Sequence, residues 1–502
     1  MLAGSINTNI NALYALDALN TNGNTTSSLE QQLSTGLAIN TPADNPAGYI
    51  AAQGFTAQIG GVTQATSNAN QAISLVQTAD GAITQQVDIL QNIASIANQA
   101  ANGGATAQQL AALQQVVSQL QTQVSTISTQ TNFNGVNLLD GTFQGISFQV
   151  GAAAGQTIGL SLASTAANQI GAYQSGGSAA AGSVYVAGGS SSGGVADNTG
   201  NSFAATLLGV GAFTAASFVV SGSAGDATIA VTAPESAQGV AQSVNNATSS
   251  TNVTATADTS AAFTVAAGSL SFVLGNGNGA APTNGVTINA TVTSVTQAGL
   301  AALTNQINEA TGQTGVTATV NSANELVLTQ AQGDNISLSG FAGNGTLTAA
   351  SGTAPITVSS AAGHTTATVQ GLVTLQSNQS FALSANASDI GLKVTSSLSA
   401  LSGVNVSTAA GASAALNVVT FALQQLESVG SQLGAVQQRL QATVGNLQTT
   451  NTNLTAARST VQDANIPAVT TELTQAEILQ QAGVSALAQS TTLQQSFLKL
   501  LQ

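Results

Sequence analysis

Side chains able to do acid–base, nucleophilic or metal chemistry are few and scattered. The only histidine, His364, lies in Ala361-Ala362-Gly363-His364-Thr365, a loop-like stretch with no acid or nucleophile motif beside it. It is expected as a surface residue. Cysteine is absent, which excludes disulfide scaffolds, Cys-zinc sites, Fe–S clusters and thiol catalysis. Eighteen carboxylates stand against four cations, a net charge of −14. The carboxylates are dispersed: Asp80 and Asp88, for example, are eight apart, which is no calcium loop and no glycosidase pair. Asn246-Ala247-Thr248, Asn289-Ala290-Thr291 and Asn344-Gly345-Thr346 fit the N-glycosylation pattern, but such triplets arise by chance in so Thr- and Asn-rich a chain. The expectation is a non-enzyme with no catalytic residue, no cofactor and no metal.

The unusual quantity is charge. Only 4% of the 502 residues are charged, where a soluble domain has about 25%. Apolar content is 43%, so Ala, Gly, Ser, Thr, Asn and Gln have taken the place of charge, and a disordered acidic chain is disfavoured. The first basic residue is Lys393. With no cation before it to neutralise a phosphate, a nucleic-acid partner is excluded. No run of about 18 residues is apolar throughout, so no membrane insertion is expected. Met1-Leu2-Ala3-Gly4-Ser5 has neither a basic nor an apolar leader region; any export is expected to proceed without a cleaved signal peptide. The length suggests about three domains.

The elements follow from periodicity. Ile6, Ile10, Leu13 and Leu16 step by three or four, and Leu29 and Leu33 continue the row. After Thr41-Pro42-Ala43-Asp44-Asn45-Pro46, either Asp44 or Asn45 can cap a second helix with Pro46 in its first turn. That helix is expected to run to about Ala101. A third carries Leu110, Leu113, Val117, Leu120, Val124 and Ile127 in heptad spacing. At the other end Val419, Leu426, Leu433, Leu440, Leu447, Leu454 and Val461 recur every seventh residue, which predicts a long helix with one narrow apolar seam. Beyond Pro467 a last helix carries Ile478, Leu479, Leu487, Leu493, Phe497, Leu500 and Leu501. A lone helix cannot bury such a seam, so the terminal helices are expected to pair and bring the chain ends together.

The middle changes period. Ile146, Phe148 and Val150 alternate, as do Ile158, Leu160 and Leu162, which reads as a β-hairpin with a Gly/Ala-rich connection. Residues 176–200 are Gly/Ser-rich and read as a linker. Short Val/Thr/Ile strands follow. Within them Gln242–Ala257 aligns without gaps on Asn305–Val320, 63 positions on. Each copy reads as the end of a short helix, a turn and a Thr-rich strand. The fold class is therefore α+β and multidomain: terminal helices paired in a coiled-coil-like α-helical stalk, a β-hairpin, and β-rich inserted outer domains. The expected divisions are 1–43 with 457–502, 44–176 with 405–456, and 177–404, with related modules near 225–280 and 285–345.

One end of the chain carries Ser5-Ile6-Asn7-Thr8-Asn9, Leu33-Ser34-Thr35-Gly36-Leu37-Ala38-Ile39-Asn40, Ala43-Asp44-Asn45-Pro46-Ala47-Gly48, Asn68-Ala69-Asn70, Ile73–Ala82 and Phe133–Gly141. The other carries Leu433–Leu440, Asn446-Leu447, Asn453–Ser459, Ile478–Gly483 and the final Leu500-Leu501-Gln502. In these segments the chain resembles bacterial flagellin. The resemblance covers roughly residues 1–165 and 412–502. The resemblance implies a homopolymer that forms the extracellular flagellar filament, exported by the flagellar type III apparatus. It also implies three partners: a filament cap protein, a hook-associated junction protein and an export chaperone. The alternative is that the chain is itself a hook–filament junction protein. A third reading is an enzyme or surface adhesin carried by the middle region; some members of the family bear enzymatic insertions, but no metal or nucleophile constellation appears here.

Two sets of side chains then acquire expected roles. Ile6, Ile10, Leu13, Leu16, Leu29, Leu33, Ile478, Leu479, Leu487, Leu493, Phe497, Leu500 and Leu501 are expected in terminal-helix and subunit–subunit packing. Leu113, Leu120, Ile127, Leu426, Leu433, Leu440 and Leu447 are expected in the helical-domain core. Asp44, Arg439 and Arg458 are candidate polar contacts. The chain departs from the family in its lost cations. Ala38 stands where the family favours Arg. Asn92, Ala94 and Ser95 replace the two Arg and the Glu of the segment recognised by an innate immune receptor, so that recognition is not expected. An assembly nearly free of ion pairs is expected to tolerate salt and acid.

Overall fold

The computed structural model describes residues 9–102, 104–176, 184–187, 216–232, 235–277, 282–349, 357–360, 365–386 and 392–500. His364 and most of the Gly/Ser-rich stretch lie outside them. Among the described residues the helices are α1 (Ile10–Thr35), α2 (Pro46–Ala101), α3 (Ala107–Gln130), α4 (Ala237–Asn246), the one-turn α5 (Thr248–Thr251), α6 (Gln297–Glu309), the one-turn α7 (Thr311–Thr314), α8 (Ala409–Gln462) and α9 (Ile466–Leu500). Long helices toward both ends with antiparallel sheets between them make an α+β chain. One compact unit holds residues 1–80, 143–162 and 431–502, and a second holds 81–142 and 163–430.

The helices are built with almost no charge. Threonines in their interiors return the hydroxyl to the carbonyl four residues back, as Thr21 does to Asp17 (2.9 Å) and Thr452 to Gln448 (3.0 Å). α1 starts at Asn9, whose Oδ1 accepts from the Ala12 N–H at 2.9 Å. α2 starts at Asn45, whose Oδ1 accepts from the Gly48 N–H at 2.9 Å. Of the two candidate caps, Asn45 serves α2. α3 carries a full capping box between Thr106 and Gln109.

α2 buries an unbroken row at heptad spacing: Val62, Ala65, Ala69, Ala72, Val76, Ala79, Ile83, Gln86, Leu90, Ile93, Ala97 and Ala100. In the first unit Val62 and Ala65 pack with Leu447 and, at the edge, Leu454. The hairpin Ile146–Gln149 pairs antiparallel with Thr157–Leu160, Phe148 opposite Ile158. On α8 Leu426, Leu433 and Leu440 are fully buried, Leu447 nearly so, and Leu454 and Val461 half-buried.

In the second unit α3 is rotated from the expected row. Val117, Gln121, Val124 and Ser128 face inward, whereas Leu113, Leu120 and Ile127 are half-buried. The cause is hydrogen bonding. The Gln121 amide donates to the carbonyls of Leu401 (2.8 Å) and Val404 (3.1 Å), and the Ser128 hydroxyl donates to that of Leu139. These two polar side chains satisfy buried backbone groups that Leu could not. Gln86 likewise donates to the Val124 carbonyl at 3.0 Å.

The rest of the second unit is sheet. Thr254–Val265 is central, flanked by Leu326–Gln330 and Leu372–Ser377. A second sheet pairs Gly268–Asn276 with Thr283–Val292 and Ile336–Ala342. Phe263, Phe272, Leu300, Ile307 and Leu338 fill the core beneath, with Phe272 stacked on Phe341 at 5.5 Å. A neighbouring core gathers Phe218, Val240, Val244 and Leu375. The internal repeat is structural to the atom. Asn245 holds Ala255 by two hydrogen bonds of 2.9 and 2.7 Å, and Asn308 holds Ala318 by two of the same lengths. Thr248 caps the Val253 carbonyl as Thr311 caps that of Val316. α5 and α7 end in left-handed caps at Asn252 and Gly315.

Candidate assembly surface

α1 and α9 lie antiparallel. Asn9 Nδ2 donates to the Ser490 carbonyl at 3.3 Å, Asn22 Nδ2 donates to that of Ala476 at 2.7 Å, and Leu29 meets Val469 and Ala476. The connections at the base of the pair run side by side. The Ala38 N–H donates to the Gln462 carbonyl (2.7 Å) and the Ala464 N–H to that of Gly36 (2.9 Å), a β-bridge that sets Leu37 opposite Asp463. This elbow is closed by Ile39, buried against Gly48. A Cβ on Gly48 would stand 2.5 Å from Ile39 Cδ1 and 3.0 Å from Asn45 Nδ2, so a larger residue there makes those side-chain ends shift.

Asp44, although exposed, ties the elbow together. One carboxylate oxygen accepts from the N–H groups of Thr41 (2.7 Å) and Asn40 (2.9 Å) and from the Thr41 hydroxyl (3.1 Å). The Thr41 N–H, then that of Asn40, holds this carboxyl below its ordinary value. Asp140 is lowered similarly by the Thr142 hydroxyl and N–H and by Asn137. Asp44 is thus an internal fastener.

The pair buries little of what it carries. Leu29 is buried in it and Leu487 half-buried. Ile10, Leu13, Leu16, Leu33, Ile478, Leu479 and Leu493 are exposed; Leu13 keeps 54% of its surface and Ile478 62%. Tyr14 (72%) and Val484 (52%) are exposed as well. Sequence reading passed over both, although Tyr14 stands four after Ile10 and Val484 three before Leu487. Ile6 and Leu501 lie outside the described residues, and for Phe497 and Leu500 the backbone alone is described. Arg439 is exposed and Arg458 half-exposed, and neither has a carboxylate partner among the described residues. Among those residues no three His, Cys, Asp or Glu gather at a metal-binding distance, and no helix is long and apolar enough to cross a membrane.

Paired terminal helices that leave large apolar side chains exposed, with antiparallel sheets inserted between them, define the class: a multidomain α+β chain with long helices toward both ends. Residues 6–144 match the bacterial flagellin N-terminal helical region and 416–501 the C-terminal helical region, while 282–332 match the flagellin hook IN motif. The B-type flagellin of Pseudomonas aeruginosa is 34% identical over the full length of both chains. Flagellin B of Helicobacter pylori is 30% identical over 99% of each. A solved structure of FliC from Burkholderia pseudomallei covers 73% of this chain and 99% of its own at 20% identity, with a TM-score of 0.30. The chain belongs to the bacterial flagellin family. It is a structural subunit of the extracellular flagellar filament.

Proposed function

We propose that the uncovered face of the α1/α9 pair is the principal contact between copies, and that covering it drives growth of the filament. The observation that supports this is the exposure of Leu13, Tyr14, Ile478, Leu479 and Leu493 on helices that already pair with each other. Fully burying one such side chain contributes about 1.5–3 kcal/mol. A surface repeated on every copy makes heterologous contacts that need not close, which is the geometry of an open helical polymer. The α1/α9 pair frays in the free chain and is held by its neighbours in the polymer. In this reading residues 1–43 and 457–502 form the inner domain, 44–176 and 405–456 the helical domain, and 177–404 the outer part. Export without a cleaved signal peptide, a cap protein at the growing tip, a junction protein at the base and an export chaperone belong to the same reading.

Electron microscopy of the purified protein tests it: long filaments are expected from the chain alone. An adaptor that forms no filaments at any concentration would favour the hook–filament junction instead. Trypsin is expected to cut at Arg458 in the free chain and to leave it intact in the polymer.

A further inference from the structure

Arg439 lies in a groove of the first unit. On α8 it shares one wall with Thr443, Asn446 and Thr450. The floor is apolar, formed by Val62 and Leu447, and the opposite rim is the hairpin connection from Val150 to Gln156. The cavity measures about 890 Å³. Its rim is held in shape. Gln149 Nε2 donates to the carbonyls of Gly151 (2.9 Å) and Ala153 (2.6 Å), and the Ala153 N–H donates to Gln156 Oε1 (3.2 Å). Ala152 rests on Gly61, where a Cβ would approach it to 3.0 Å.

No carboxylate lines this groove, and Arg439 has none as a partner among the described residues. A guanidinium presented between hydroxyl and amide groups above an apolar floor matches an acidic side chain on an aliphatic stem, since its planar fork takes a carboxylate in two hydrogen bonds. The chain itself supplies that ligand in excess, with eighteen carboxylates against four cations. We propose that the Arg439 groove receives an exposed carboxylate side chain of a second copy of this chain, an ionic contact set beside the apolar ones. This rests on the polymer reading above and adds one specific contact to it.

The test compares filaments of the unsubstituted chain with Arg439→Gln and Arg439→Lys at low and high sodium chloride, with monomer melting as the control for folding. At low salt the Gln variant should need about five- to tenfold more protein to polymerise, the range of a partly shielded ion pair. The unsubstituted chain should approach the Gln variant as salt rises, and the Lys variant should fall between them. Monomer melting should be the same in all three. Equal critical concentrations at low salt for the unsubstituted chain and Arg439→Gln would overturn the proposal. So would a difference that emerges only on adding inorganic phosphate, which would assign the groove to a free anion. If the unsubstituted chain never polymerises, the polymer reading itself fails.

Discussion

The α1/α9 pair and the inserted sheets treat their large apolar side chains in opposite ways. In the sheets Phe218, Phe263 and Phe272 are at most 1% exposed, and the helices and strands of each module cover one another. In the pair Tyr14, Ile478, Leu479 and Leu493 are all more than half exposed. One region carries its stability within the chain. The other leaves its large apolar side chains uncovered, which under the proposed function holds them in reserve for other copies. The same composition, poor in charge and rich in Ala and Thr, therefore serves two purposes, and the arrangement of the large side chains separates them.

The sharpest way to break this contrast is to remove the reserved surface. Leu13→Ser, Tyr14→Ser and Ile478→Ser together forfeit about 1–2 kcal/mol of burial each on assembly, since the chain already covers part of each side chain. The critical concentration should rise about a hundredfold or more by light scattering, while the melting temperature of the free chain stays unchanged. A drop in monomer melting with normal assembly would mean that these residues serve the intrachain fold, and the contrast would be lost. The reciprocal change is Phe263→Ala. It should cost about 3–5 kcal/mol of the stability of the sheet region, read by denaturant unfolding, and leave the critical concentration nearly as it was.

How far the sequence foretold this division depends on residue size and on partners. The rows of α8, at Leu426, Leu433 and Leu440, were readable because Leu contrasts with a Gln/Thr background. The equally regular row of α2 was not, since Ala65, Ala69, Ala72 and Ala79 contrast little with Ala, Gly and Ser elsewhere. Its one amide, Gln86, would break any apolar pattern, yet it is fully buried because it binds a carbonyl of α3. Gln121 and Ser128 turned α3 for the same reason. Their partners Leu401, Val404 and Leu139 lie in other segments, and a local period carries no such information. On the assembly surface the Ile and Leu positions of α1 and α9 were readable as apolar rows. The rows do not state which members the chain covers itself, as it does Leu29. The repeat was visible because the Asn and Thr that hold each turn sit at identical spacing in both copies.

A smaller effect sharpens the comparison at the elbow between the two kinds of surface. Gly48→Ala forces a Cβ against Ile39 Cδ1 at 2.5 Å. Overpacking costs about 1–3 kcal/mol, less about 1 kcal/mol because Ala is favoured over Gly in a helix, so the net loss is small. Filaments should still form, with a lower melting temperature and faster hydrogen exchange at the Ala38 and Ala464 amides. Unchanged exchange at both would show that the elbow is not a packed joint.

The smallest expected effect is acid on the same joint, and it separates an apolar assembly from an ionic one. The Asp44 carboxyl is held below its ordinary value of 3.8 by the Thr41 and Asn40 N–H groups. A lowered carboxyl contributes stability that is present above the ordinary value and is lost as pH falls through the lowered one. Protection of the Asn40 and Thr41 amides should therefore decline in strong acid, and Asp44→Asn should show no such decline. The α1/α9 pair also exposes Asp17, Glu30, Glu472 and Glu477, but its large uncovered side chains are Ile, Leu, Tyr and Val, and the proposed contact rests on these. Filaments should consequently outlast this loosening and persist from about pH 4 to pH 2. Dissolution in step with the loss of Asp44 protection would place the strength of the polymer in its few carboxylates and not in its reserved apolar surface.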